Sequence, residues 1–272
     1  MRASVIFLLI STSSAIAQPY GPSKIYGMLP VNDSTHIDQC EITVAEWIEF
    51  MHDQNGYVPE PEALKQLPYA WLFGQPGGYT FRLAWFGQFS SVRIQVPADS
   101  LRTRAQRSKA HVLASYPITA IGYAQAQAYC RWRTERCTEV LRSRGETMFS
   151  ISFELPTASE MDAFLTTVDS TNGTCALFNY NCVPCQVDTK KSRRLSFVRP
   201  GEDLVPADSY VPDALGLYQL RGNAAEMTAT EGIAKGGSYR EPAAQCAQGW
   251  TQPYTKPEPW LGFRCVARIR AR

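Results

Sequence analysis

Ala214-Leu-Gly-Leu-Tyr-Gln-Leu-Arg-Gly-Asn-Ala-Ala-Glu226, then Lys235-Gly-Gly-Ser-Tyr239, then Leu261-Gly-Phe-Arg264 are the stretches whose reading decides the fold. Each mixes glycines with single apolar residues and carries no helical period. Gly216, Gly222, Gly236 and Gly237 permit a positive φ or a close backbone approach, which other residues resist. These stretches read as scaffold: short strands joined by tight, shaped loops.

Helical signals lie upstream. Thr43-Val-Ala-Glu46 is a capping box, with Trp47, Phe50 and Met51 following at helical spacing. From Gly122 to Leu141 a broad apolar face carries Tyr123, Ala126, Cys130, Cys137 and Leu141. Pro156 and a second capping box, Thr157-Ala-Ser-Glu160, open a helix that buries Met161, Phe164 and Leu165. Residues 67–97 are dense in aromatics, Tyr69 to Phe89, between glycines and prolines. They read as packing under an irregular loop, with a sugar-stacking or protein-binding surface as the other reading. Few helices, few regular strands and many loops make an α+β domain with little regular secondary structure.

The N-terminus has the form of an export signal. Arg2 precedes the apolar run Val5–Ile10, and Ala15-Ile-Ala17 offers a small-residue cleavage site before Gln18. The expected product is one domain, residues 18–272, secreted or periplasmic, and no later stretch has the length of a membrane span. All 8 cysteines lie in that domain, and a net charge of +2 with interleaved signs argues against nucleic acid as a partner. The densest basic run, Arg102, Arg104, Arg107 and Lys109, reads as a solvated loop.

Segment by segment, the chain resembles the formylglycine-generating-enzyme, or sulfatase-modifying-factor, family. Gln39-Cys-Glu-Ile-Thr-Val-Ala-Glu46 resembles its opening; Tyr116 to Trp132 resembles its "HPV…VSW…AYC-x-W" segment, and Leu155-Pro-Thr-Ala-Ser-Glu160 its "RLPTEAEWE". The three opening stretches resemble "GLYDM-x-GNVWEW", "RGGSW" and "GFR". The resemblance covers roughly residues 38–268. It implies a loop-rich fold related to C-type lectins.

It also implies where chemistry belongs. In the oxidases of the family, one cysteine lies three residues after the serine of "GGS" and a second five residues beyond, and the two hold copper. Here those positions are Glu241 and Cys246. A carboxylate beside one thiolate makes a poor Cu(I) site, because soft ions select sulfur. Copper is therefore not expected, and Cys246 and Glu241 are catalytic candidates only for a divergent oxidase. The iron-dependent sulfoxide-synthase branch needs three histidines on a helical domain, whereas His36, His52 and His111 are scattered. Structural calcium near "GNVWE" is the cofactor the resemblance favours. Asn223 and Glu226 are its side-chain candidates, with Arg221, Gly222 and Ala224 offering carbonyls. Hydrogen bonding of the turn is the plainer role for the same two residues.

Cys130 and Cys137, about 10.5 Å apart along one helix at ~1.5 Å per residue, cannot pair with each other. The resemblance implies a bond from Cys130 to Cys246 and one from Cys265 to Cys40. Cys175, Cys182 and Cys185 read as local disulfides, with Cys137 as a further candidate. Asn32-Asp-Ser34 and Asn172-Gly-Thr174 fit glycosylation only in a eukaryotic host. The expected function is a non-catalytic binding or structural module of the cell envelope or extracellular space. Its partner would be a protein or glycan, and relatives in gliding and secretion machinery make assembly one form of that role. The alternative is a divergent formylglycine-generating oxidase acting on a substrate cysteine.

Overall fold

A computed structural model describes residues 25, 27–54, 57–73, 80–86, 89–95, 112–169, 203–210 and 212–272. The export segment, the Arg102–Lys109 run, His111, Asn172 and the cluster of Cys175, Cys182 and Cys185 lie outside the described residues. The elements run β1 (Met28–Asn32), β2 (Thr35–Asp38), α1 (Val44–Gln54), α2 (Pro61–Leu64), α3 (Ala70–Phe73), β3 (Thr80–Phe86) and β4 (Phe89–Gln95). After these come α4 (Tyr123–Ser143), β5 (Phe149–Glu154), α5 (Ala158–Asp169), β6 (Ala225–Met227) and β7 (Ile233–Lys235). A 3-10 turn (Ala243–Cys246) and three strands, β8 (Gln252–Pro253), β9 (Leu261–Gly262) and β10 (Val266–Ala271), complete the chain. This is the expected α+β class.

Both predicted capping boxes form. The Glu46 N–H donates to Thr43 Oγ1 at 3.4 Å, and Glu46 Oε2 accepts from the Thr43 N–H at 2.8 Å. At the start of α5 the Glu160 N–H donates to Thr157 Oγ1 at 3.2 Å, and the return bond from the Thr157 N–H is 2.9 Å. These bonds satisfy N–H groups that a helix start leaves orphaned.

The first and last strands meet in an antiparallel sheet of order β1-β2-β10-β5. A strand sends successive side chains to opposite faces, so β10 and the residues leading into it serve two clusters. Cys265, Ala267 and Ile269 enter the main core with Trp47 and Phe50 of α1 and Tyr129 and Trp132 of α4. There Trp47 stacks on Tyr129 at 5.9 Å, and Phe263 meets Tyr129 edge-on at 5.4 Å. Val266 joins the other cluster, with Ile37, Leu217, Leu220, Cys246 and Met161, Phe164 and Leu165 of α5.

A second sheet, β8-β7-β6-β9, gathers the three decisive stretches, with β6 and β9 parallel and Ala225 opposite Leu261. Gly262 is needed for contact: a Cβ there would stand 2.8 Å from the Ile118 carbonyl oxygen.

Part of the aromatic segment is regular where a loop was expected. β3 and β4 pair antiparallel across Thr80–Gln95. Phe81, Leu83 and Trp85 alternate with Arg82 and Ala84, a strand period that the surrounding glycines obscure. Tyr69 is buried, and its hydroxyl lies 2.8 Å from Thr119 Oγ1, so this ring packs inward.

Candidate functional site

The loop after β7 is built around Cys246. Gly237 has φ +67°, and a Cβ there would lie 2.5 Å from Cys246 Sγ and 2.8 Å from the Gln245 carbonyl oxygen. No side chain fits between this backbone and the thiol. Cys246 is 1% exposed and packs among Ile37, Met161, Leu165 and Val266. Its Sγ lies 3.9 Å from the main-chain carbonyl oxygens of Ser238 and Glu241. Burial, reinforced by the charge of Glu241 and opposed by Arg221, pushes the thiol pKa up to about 12. A group with that pKa is a protonated thiol at neutral pH.

The Glu241 carboxylate is hydrogen-bonded within its own loop and to Gln252. Its Oε2 accepts from the Ser238 N–H at 2.8 Å and from the Ser238 hydroxyl, and its Oε1 accepts from Gln252 Nε2 at 3.1 Å. The Arg240 N–H donates to Ser238 Oγ at 3.2 Å, and the Glu241 N–H to the Ser238 carbonyl at 3.2 Å. Glu241 and Cys246 therefore share one loop, but the carboxylate is spent on holding the loop's shape. Ser238-Tyr-Arg-Glu241 has the Ser/Thr-x-x-Glu spacing of the two helix caps, a spacing that Ser143–Glu146, Thr228–Glu231 and Thr255–Glu258 also carry, so the pattern alone does not single it out.

Asn223 and Glu226 are both buried. Asn223 has φ +57°, a left-handed conformation that asparagine adopts more readily than most residues. Its Oδ1 accepts from the Val205 N–H at 2.9 Å, and its Nδ2 donates to Glu41 Oε1 at 2.9 Å and the Val205 carbonyl at 3.2 Å. The two Glu226 oxygens each accept at 2.6 Å from Arg264, through Nε and Nη2. The side-chain oxygens proposed for calcium thus already accept from N–H donors, and this pair does not fit a calcium site.

Three residues around this network were not singled out from sequence. Arg264, 0% exposed, also donates to the Asp38 carbonyl at 3.1 Å and the Tyr218 carbonyl at 2.9 Å. Burial opposes its charge, but the Glu226 carboxylate outweighs burial and holds the guanidinium above its ordinary range. Glu41 is buried, and its Oε2 has no hydrogen-bond partner among the described residues. Desolvation pushes its pKa up to about 8, against the pull of Arg264 and with the push of Glu226. Lys235 is buried and donates to Asp162 Oδ1 at 2.8 Å and to the Trp250 carbonyl at 3.0 Å. Asp162 Oδ1 also accepts from the Gly249 N–H at 2.9 Å, which ties α5 to the loop around Cys246. The sequence signal for Lys235 and Arg264 was a lone cation set among apolar residues and glycines.

The expected cysteine pairings are corrected. Cys130 Sγ lies 3.5 Å from Cys265 Sγ, and no disulfide joins the described cysteines. Cys246 lies in the other cluster, across the sheet from Cys130, so a Cys130–Cys246 bond is excluded by the face each residue occupies. Cys265 faces Cys130 rather than Cys40. Cys137 is a buried thiol whose pKa burial raises to about 11. His36 is buried, and neither ring nitrogen has a partner among the described residues. Among the described residues no helix is long and apolar enough to cross a membrane.

Three solved structures align with this chain at low identity. The structure of PvdO from Pseudomonas aeruginosa aligns at 12% identity over 86% of this chain and 80% of its own, with a TM-score of 0.47. The crystal structure of CarF aligns at 14% identity over 87% of each chain, with a TM-score of 0.47. Treponema denticola variable protein 1 aligns at 14% identity over 93% of each chain, with a TM-score of 0.46. No curated protein matches the sequence. Residues 30–269 match the sulfatase-modifying factor enzyme 1-like domain, so the chain belongs to the FGE-sulfatase family.

Proposed function

We propose that this chain is an exported, non-catalytic member of its family, a binding or structural module whose partner is a protein or glycan of the envelope or extracellular space. One observation carries the reading: Glu241, at the position where the oxidases place a copper thiolate, closes a turn with Ser238 and Gln252. The remaining thiol, Cys246, is buried with its pKa raised to about 12, and it would be the lone sulfur beside a carboxylate, a poor donor set for Cu(I). Asn223 and Glu226 act in the same spirit. In this reading they are internal partners of Glu41 and Arg264 rather than ligands for calcium. The export assignment rests on the charge, apolar run and small-residue site of residues 1–17.

The decisive experiment incubates the purified full chain with a Cys-x-Pro-x-Arg peptide, Cu(I) and oxygen, and follows peptide mass. The expected result is unmodified peptide, with native Cys246 resisting alkylation until the protein is unfolded. Conversion of the peptide cysteine to its aldehyde would overturn the proposal.

A further inference from the structure

We propose that the β1–β2 hairpin is an acid-released flap whose latch is His36. The hairpin is the more weakly joined half of its sheet. β1 is an edge strand bonded to β2 alone, and β2 meets β10 at three residue pairs: Ile37 with Val266, His36 with Ala267 and Thr35 with Arg268. β10 and β5 share six pairs. His36 stands in the middle of the three-pair seam, 3% exposed, with Pro30 of β1 on its other side. Neither ring nitrogen has a hydrogen-bond partner among the described residues. A neutral imidazole in this place carries one N–H with nothing to donate to. Protonation adds a second such N–H and a charge in a desolvated seam.

The surroundings offer that charge no counter-ion. Alternation along β2 puts His36 on the same face as Asp38, towards α4. The charged groups gathered there are Asp38, Arg133 of α4 and Glu46 at the start of α1. Asp38 Oδ2 already accepts from Arg133 Nη1 and from the Cys265 N–H, each at 2.8 Å, and Glu46 accepts from the Thr43 N–H and hydroxyl. The other titratable groups of this face are Tyr129, Cys130 and Cys137 of α4 and Cys265, none of which brings a negative charge at neutral pH or below. β1 presents Met28 and Pro30, and β5 presents Ile151 and Phe153. Burial accordingly holds the His36 pKa below its ordinary 6.5. The closed hairpin therefore binds fewer protons than the released one. Closure is fully favoured above about pH 6.5 and weakens as pH falls from there to the lowered pKa. Each pH unit in that window multiplies the open-to-closed ratio by up to about ten. Release leaves β10 with an open edge from Val266 to Arg268, on which another extended chain can pair.

The test follows amide hydrogen exchange of the full chain by mass spectrometry between about pH 7.5 and about pH 5, corrected for the intrinsic pH dependence of exchange. Protection of the β1–β2 hairpin should fall by up to about tenfold per pH unit below 6.5, while α4 and β5 keep theirs. His36→Leu removes the titrating group and should hold the hairpin's protection constant over the same range. Should that variant fail to fold, the C2–H resonance of His36 in the wild type carries the test, with a midpoint expected below 6.5. In a melting curve this imidazole opposes Glu41 and Glu49, whose raised pKa values favour the fold towards acid, so the local readout decides. A midpoint at or above 6.5, hairpin protection that ignores pH, the same loss in His36→Leu, or an equal loss in α4 would each overturn the proposal.

Discussion

Replacing Glu226 with glutamine keeps the shape of the side chain and removes the charge that neutralises Arg264. The guanidinium, 0% exposed, would be left with the carbonyls of Asp38 and Tyr218 as its other hydrogen-bond partners among the described residues. Breaking one side of a buried ion pair costs roughly 3–5 kcal/mol. Here a second carboxyl stands by. At pH 7 the Glu41 carboxyl is mostly protonated, because burial and the Glu226 charge raise its pKa to about 8 while Arg264 pulls it down. In Glu226→Gln the push is gone and the pull remains, so Glu41 ionises and replaces the lost counter-ion. The single variant should therefore lose about 2–3 kcal/mol, at or below the low end of the range for a broken buried pair. Glu41→Gln alone should change stability by about 1 kcal/mol or less, since it replaces a group that is already neutral. The double variant should lose more than the sum of the singles, by about 1–2 kcal/mol. Urea denaturation of the four proteins at pH 7 completes the cycle. Additivity, or a Glu226→Gln loss under about 1 kcal/mol, would show that Arg264 does not depend on these carboxyls and sink the reasoning.

Two further outcomes follow from the same buried charges. Asp162→Ala should destabilise the fold by about 2–4 kcal/mol, because it strips Lys235 of its carboxylate; Lys235→Met in that background should recover part of the loss, as read by urea midpoints. Stability should also fall as pH rises from about 4.5 towards 8. Glu41 has its folded pKa at about 8 against an ordinary 4.5, so across that window the folded state holds a proton that the unfolded chain has released. The slope it contributes is at most about 1.4 kcal/mol per pH unit. Glu49, raised to about 7 by burial and its acidic neighbours, acts in the same direction. Glu41→Gln should flatten the decline above pH 7 and leave a residual slope below it. An unchanged pH profile would remove Glu41 as its source.

What the sequence disclosed depended on the range of the interaction. The capping boxes at Thr43 and Thr157 involve residues three apart, and both helices start where the pattern places them. The Glu226–Arg264 pair spans 38 residues and the Asn223–Glu41 bond 182, and both require chain segments that meet only when the strands assemble. The cysteine pairing failed for a different reason. Those pairings were the ones the family resemblance implied, whereas the face of a strand decides what a side chain can meet. The apolar alternation of Phe263, Cys265, Ala267 and Ile269 carried that information, with Val266 pointing to the opposite cluster.

The same distinction sharpens the reading of Glu241. Taken by its offset from Ser238, it marks a copper position that lacks sulfur. Taken with Thr43-x-x-Glu46 and Thr157-x-x-Glu160, it is, among the described residues, a third place where a glutamate reaches back to the N–H and hydroxyl of a residue three positions earlier. In the first two that geometry satisfies the start of a helix; in the third it fixes a loop whose glycine presses on Cys246. A carboxylate so engaged would have to abandon Ser238 and Gln252 before it could approach a metal beside the thiol. Reaching that thiol would also mean parting a backbone already within contact distance of Sγ. In the function proposed above, the residue at the oxidase position and the packing behind it would oppose copper chemistry for the same physical reason: both are committed to the shape of the loop.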